Sequence, residues 1–181
     1  RKRAVDLEPE WKCPEQFTNT MILMENFTME LLEPVENVGS RVVLQLHGGG
    51  YIATMKNAYR LFAALYSELG GNCRVLTIDY RVAPEHPYPA ALEDTIAAYH
   101  WLLEQGEKIV VAGDSAGGGL ALALCLWLKN HKEPLPSGVI AMSPWTDLTI
   151  SGESVETNFE KDPLFGKTRD SMLYNKDYLG D

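Results

Sequence analysis

Residues 108–119, KIVVAGDSAGGG, constrain this chain more than any other stretch. Ile109, Val110, Val111 and Ala112 form an unbroken apolar run without polar alternation, the pattern of a parallel strand covered on both faces. From Leu120 to Leu128 the sequence LALALCLWL has no polar side chain. Nine residues are too few to cross a membrane and suit a helix buried on most sides. Between the two stands Gly113-Asp114-Ser115-Ala116-Gly117, a G-x-S-x-G turn. A reversal this tight crowds the positions two before and two after the serine, so both call for glycine. It also holds Ser115 in a strained conformation with its hydroxyl exposed. Serine at a helix start is also a common N-cap. The flanking glycines favour the other reading, in which the turn presents a nucleophile and Ser115 is the first catalytic candidate.

Around this turn the chain alternates. TMILMENFTMELL at 20–32, broken at Glu25-Asn26, reads as two edge strands or a hairpin. Strands follow at Val42–Leu46, Arg74–Tyr80 and Gly138–Met142. A helix at Asn57–Leu69 carries Leu61, Phe62, Leu65 and Leu69 at helical spacing and stops at Gly70-Gly71. A second, about Ala90 to Glu104, places Leu92, Ile96, Tyr99 and Leu103 on one stripe, and residues 81–89 form a loop stiffened by Pro84, Pro87 and Pro89. Strand and helix alternating from residue 42 predict an α/β fold whose mostly parallel sheet has helices on both faces. Residues 1–19 read as an N-terminal arm or part of a cap, 20–147 as the core, and 148–181 as a lid or cap insertion with a last helix near 168–179. The uncovered, very apolar strand at Gly138–Met142 leads us to expect a fold cut short before its last strands, with the rest of the core missing.

Composition narrows the function. Sixteen basic against twenty-five acidic residues, net charge -9, disfavour a phosphate backbone or an anionic membrane as partner and favour a small neutral substrate. Cys13, Cys73 and Cys125 are odd in number and widely spaced, which argues against a disulfide framework or zinc site and for reduced thiols in a cytoplasm. Arg1-Lys2-Arg3 is followed by Asp6, Glu8, Pro9 and Glu10, where a signal peptide would need its apolar core.

A serine nucleophile needs an oxyanion site and a base. Gly48-Gly49-Gly50, directly after a strand, lets backbone N–H groups approach a ligand oxygen, and the N–H of Ala116 lies beside the nucleophile at a helix N-terminus. The run GGGYIA at 48–53 also fits the dinucleotide fingerprint, but Asp79 lies 29 residues beyond Gly50 rather than the ~20 expected. Gly117-Gly118-Gly119 lacks the Lys-Ser/Thr of a phosphate loop. Tyr51, Phe159, Phe165 and Tyr174 are candidates to line an acyl pocket.

HGGGY at 47–51, DYRVAPEHPYPAALED at 79–94, GDSAGGG at 113–119 and SPWTDL at 143–148 together resemble the hormone-sensitive-lipase-like branch of the α/β-hydrolase superfamily, especially bacterial carboxylesterases and acetyl esterases. The resemblance implies that Ser115 is the nucleophile, that the N–H groups of Gly49, Gly50 and Ala116 form the oxyanion hole, and that His47 braces the glycines. His47, Gly48 and Asp114 then belong to the supporting motif, with Asp79, Tyr80, Arg81 and Glu85 holding sheet and loop. It also implies a triad running serine, acid, histidine, with the last two on loops after later strands. Only His131 follows Ser115, and a continuous helix of sixteen residues would set them about 24 Å apart. His86 and His100 fall on a loop and a helix. Asp147 is a candidate orienting acid, although the family places that acid one strand later.

The expectation is a serine carboxylesterase acting on short to medium acyl esters without metal or organic cofactor. Its histidine and acid would lie beyond residue 181, leaving these residues inactive alone, and a homo-oligomer is compatible with this reading. The alternative is a ligand-binding receptor of the same fold that keeps the serine but lacks a complete triad.

Overall fold

The computed structural model describes residues 11–163 and 174–180. A six-stranded sheet runs β1 (Phe17–Leu23), β2 (Thr28–Pro34), β4 (Arg74–Asp79), β3 (Arg41–Leu46), β5 (Lys108–Asp114), β6 (Gly138–Met142) from edge to edge. β1 and β2 are an antiparallel hairpin, as their broken alternation predicts, but only β1 is an edge. β2 pairs antiparallel with β4, and β4, β3, β5 and β6 are parallel. The helices are α1 (Asn57–Leu69), α2 (Ala90–Glu104), α3 (Ser115–His131), α4 (Glu153–Thr157) and α5 (Tyr174–Leu179).

The period of two along each strand sorts the core into two layers. Val42, Leu44 and Leu46 of β3, Leu76 and Ile78 of β4, and Ile109 and Val111 of β5 pack with Ala98 and Leu102 of α2 and with Leu120, Leu124 and Leu128 of α3. The alternate residues Val43, Val75 and Ala112 join Phe17, Leu32 and Cys73 beneath Ala63 of α1. β5 is thus enclosed from both sides, which is why it has no polar alternation.

Two helical readings change on contact with the structure. The apolar stripe of α1 points away from the sheet: Leu61, Phe62, Leu65 and Leu69 are 61%, 43%, 47% and 79% exposed, and the small Ala63 and Ser67 are the buried residues. The helix meets the sheet through a small residue, Ala63, which packs with Val43, Val75 and Ala112. α3 is not buried on most sides either. Ala121, Leu120, Leu124 and Leu128 face the core while Leu122 and Leu126 are exposed, a one-sided burial that an all-apolar run cannot reveal because it carries no period. β6 is exposed along most of its length, with no strand on its outer side among the described residues.

In the segment 148–181, α4 is a short helix the sequence did not suggest. Of the helix expected near 168–179, residues 168–173 lie outside the described residues and α5 is its remainder. Phe165 and the side chain of Tyr174 also lie outside them.

Candidate active site

The serine turn begins where β5 ends. Asp114 is still extended, with φ -117° and ψ 150°, and Ser115 adopts φ 51°, a left-handed conformation costly for a residue with a Cβ. α3 then starts at once. The glycines flanking the serine are both required, though not because they face one another alone. A Cβ on Gly113 would strike the backbone of Gly117, with Gly118 N only 2.9 Å away, whereas one on Gly117 would lie 2.6 Å from the carbonyl oxygen of His47 at the end of β3. The turn therefore fits against the neighbouring strand as well as against itself.

That neighbouring strand leads into the glycine loop. Gly49 and Gly50 take φ 117° and 64°, and Tyr51 follows with φ 62°. The carbonyl of Gly49 accepts the N–H groups of Ile52 (3.2 Å) and Ala53 (3.1 Å), closing a tight turn. The N–H of Gly48 is already engaged, donating to Tyr59 Oη at 2.7 Å and Asp114 Oδ1 at 3.1 Å. Among the described residues the N–H groups of Gly49 and Gly50 have no such acceptor. Gly48 N–H is thus used within the protein, and among the described residues the next two N–H groups of the loop are not. Asp114 occupies the N-cap position of α3 yet makes no capping bond, because its carboxylate reaches across to Gly48 and to Tyr59. The main chain of the elbow is also tied to the loop after β6, where Trp145 N–H donates to Ser115 O at 2.8 Å.

His47 is fully buried, its ring stacked on Tyr80 with centroids 4.0 Å apart and planes 3° apart. Nδ1 lies 2.7 Å from the carbonyl of Gly48, which only a protonated Nδ1 can satisfy, so the neutral ring carries its proton there. Among the described residues Nε2 has no hydrogen-bond partner, and it stands 3.8 Å from Asp79 Oδ1. Burial holds the imidazole below its usual pKa, against the opposing pull of the Gly48 carbonyl and of Asp79 and Asp114. The ring is thus closed to solvent at the root of the glycine loop. Asp79 in turn accepts the N–H of Met55 at 2.8 Å, and Arg81 grips both oxygens of Asp94, so both support the loops around the site. Glu85 is exposed.

The remaining histidines are held elsewhere. His100 Nε2 is 2.5 Å from Glu133 Oε2, and His131, at the far end of the continuous α3, stacks on Trp127 and contacts its carbonyl. His86 is exposed in the proline loop. Asp147 is no orienting acid for any of them. Its Oδ1 accepts Thr149 N–H and Oγ–H, its Oδ2 accepts Ser151 N–H and Oγ–H, and these bonds hold its pKa well below the carboxylate range. Among the described residues no three His, Cys, Asp or Glu side chains form a metal-binding group, and no helix is long and apolar enough to cross a membrane.

Two aromatic residues of the site escaped the sequence reading. Tyr178 of α5 stacks on Tyr51 with centroids 3.9 Å apart, and its carbonyl accepts the N–H of Tyr88 at 2.6 Å, so α5 lies against the glycine loop. Phe159, named beside Tyr51 as a pocket candidate, is half-buried in the turn after α4. Tyr59 looks like ordinary core on an amphipathic helix, and only its hydroxyl contacts reveal a different place. Nothing in a single sequence signals either pairing, since both depend on residues brought together from distant elements.

The model of the alpha/beta hydrolase fold family matches residues 43–181, which takes in both the glycine loop and the serine turn. The chain belongs to the alpha/beta hydrolase fold family. Within this family it is 38% identical over 147 residues to an acetyl-hydrolase of Streptomyces hygroscopicus, an alignment covering 80% of this chain and 48% of that protein. It is 42% identical over 130 residues to an esterase of Acinetobacter venetianus, covering 69% of this chain and 42% of that one. Similarity extends to the hormone-sensitive lipase of Mus musculus, 34% identical over 131 residues, or 68% of this chain and 17% of the lipase. Among solved structures, an esterase from the bacterial hormone-sensitive lipase family superposes with a TM-score of 0.84 at 38% identity, covering 94% of this hydrolase-fold chain and 58% of that chain. The chain spans about half the length of the two bacterial relatives.

Proposed function

We propose that the protein is a serine carboxylesterase acting on short to medium acyl esters. The observation that carries this reading is Ser115 in a left-handed conformation at the strand-to-helix turn, bonded through Asp114 to a glycine loop whose next two N–H groups are unengaged among the described residues. In the proposed reaction Ser115 Oγ attacks the ester carbonyl, and the N–H groups of Gly49, Gly50 and Ala116 hold the negative charge that forms on its oxygen. The proton of Oγ passes to a histidine, which returns it to the departing alcohol as the carbon–oxygen bond breaks. Water then attacks the acyl-serine, giving its proton to the same histidine, which passes it to Ser115 Oγ as the acyl carbon–Oγ bond breaks and the acid is released.

The base and the acid that orients it are, in this proposal, supplied beyond residue 181, and residues 1–181 alone are inactive. In support of this, His47 is closed off, His100 is paired with Glu133, His131 lies at the other end of α3 and His86 is exposed in its loop. The substrate is a small neutral ester, in keeping with a net charge of -9. A similar protein, EstE5, 35% identical with a TM-score of 0.81, was crystallised and soaked with p-nitrophenyl butyrate. A cytoplasmic setting is part of the same reading and rests on three free cysteines.

The test is hydrolysis of p-nitrophenyl acetate by the whole protein, with reaction of a fluorophosphonate probe. Hydrolysis and rapid labelling, both abolished by Ser115→Ala, support the esterase. Hydrolysis that survives Ser115→Ala sinks the assignment, and a wild-type serine that neither labels nor turns over supports the ligand-binding alternative.

A further inference from the structure

The glycine loop and the serine turn come from different strands, and their relative position must be set to a fraction of an ångström if donors and nucleophile are to meet one substrate. Two side chains span the gap. Asp114, one residue before the serine, accepts from Gly48 N–H through Oδ1 at 3.1 Å. Tyr59, on the first turn of α1, closes a triangle: its oxygen accepts the same Gly48 N–H at 2.7 Å and its hydroxyl donates to Asp114 Oδ2 at 3.2 Å. Gly48 is where this triangle touches the loop. A Cβ there would collide with the Asp114 carboxylate, its Cγ being 3.1 Å away.

Tyr59 is itself well fixed. Its carbonyl accepts Gln45 Nε2 of β3 at 2.8 Å, its ring meets the edge of Phe62 at 5.8 Å, and the His47 ring lies 5.6 Å away. Burial, followed by the nearby Asp114 carboxylate, pushes its pKa up to about 12. The hydroxyl therefore stays protonated, one hydrogen bond accepted and one donated.

We infer that Tyr59 is a positioning residue that locks the oxyanion loop to the nucleophile turn through the Gly48–Tyr59–Asp114 triangle. The role rests on the esterase reading, and it belongs to the hydroxyl rather than the ring. Without that hydroxyl, Gly48 N–H keeps only its longer bond and Asp114 Oδ2 loses a donor. Gly49 and Gly50 then sample positions off the substrate oxygen. A misplacement of about 1 Å costs on the order of 100-fold in rate, so Tyr59→Phe should lower kcat about 10- to 100-fold.

The experiment compares wild type, Tyr59→Phe, Asp114→Asn and the double variant in the whole protein. It uses p-nitrophenyl acetate kinetics, thermal midpoints and amide hydrogen exchange at Gly49 and Gly50. The proposal expects a kcat loss in Tyr59→Phe with KM and thermal midpoint nearly unchanged, faster exchange at the two glycines, and little further loss in the double variant, because both side chains act in one triangle. An unchanged kcat overturns it, as does a kcat loss that tracks a drop in thermal midpoint or adds fully to that of Asp114→Asn. If the wild type shows no hydrolysis, the esterase reading fails on its own. The exchange rates then decide for Tyr59: acceleration in Tyr59→Phe upholds the lock, and equal rates overturn it.

Discussion

Tyr80 holds His47 twice, by stacking its ring on the imidazole at 4.0 Å and by donating its hydroxyl to the His47 carbonyl at 2.6 Å. Both groups are buried, and among the described residues the carbonyl at the root of the glycine loop depends on that one phenol. Tyr80→Phe keeps the stack and orphans the carbonyl. Chemical denaturation should show a loss of about 1–3 kcal/mol, the usual cost of an unsatisfied buried acceptor.

His47 also imposes a pH dependence on stability. Its folded pKa lies below the ordinary 6.5, burial being the leading cause, so the unfolded chain takes up a proton that the folded one refuses. Stability should be level above pH 6.5 and fall as pH drops from there toward the folded value, by at most about 1.4 kcal/mol per unit. Denaturation midpoints between pH 7.5 and 5 test this, and His47→Asn should flatten the slope. Glu30 acts in a separate window. Burial raises its pKa, but Arg60 and Asn19 outweigh this and lower it overall, so its contribution is lost only below about 4.5.

Gly117 is placed where even a methyl group meets the carbonyl oxygens of Leu46 and His47. Gly117→Ala should cost at least about 2 kcal/mol through overpacking. Gly138, at the start of β6, has open space around a would-be Cβ. Gly138→Ala should stay within about 1 kcal/mol of wild type, and equal losses at the two sites would contradict the packing described for the turn.

Asp147 offers a direct check on the proton path. Its carboxylate serves the local turn through Thr149 and Ser151. Asp147→Asn should therefore hold kcat for p-nitrophenyl acetate within about threefold, whereas losing the orienting acid of a triad costs about 10⁴.

How much of this could be read beforehand depended on whether a feature was local. The G-x-S-x-G turn and the triple glycine are contiguous, so Ser115 and the loop at Gly48–Gly50 were legible, as were the strands and the main helices. The outward stripe of α1 was not, because hydrophobicity shows which residues share a side but not that the helix buries Ala63 and Ser67 instead. Tyr59 and Tyr178 were hidden for a different reason. One tyrosine on an amphipathic helix resembles any other until the strand it meets is known. Asp114 was legible as part of a motif, yet its reach to Gly48 requires two parallel strands side by side, 66 residues apart in the chain.

That reach leaves α3 without the side-chain cap that its leading aspartate would ordinarily supply. A missing cap forgoes about 1 kcal/mol. A negatively charged adduct on Ser115 would then act as a guest cap, completing the helix for as long as it lasts. On the esterase reading, the free protein would be less stable than the protein carrying such an adduct, and occupancy of the site would register as resistance to unfolding.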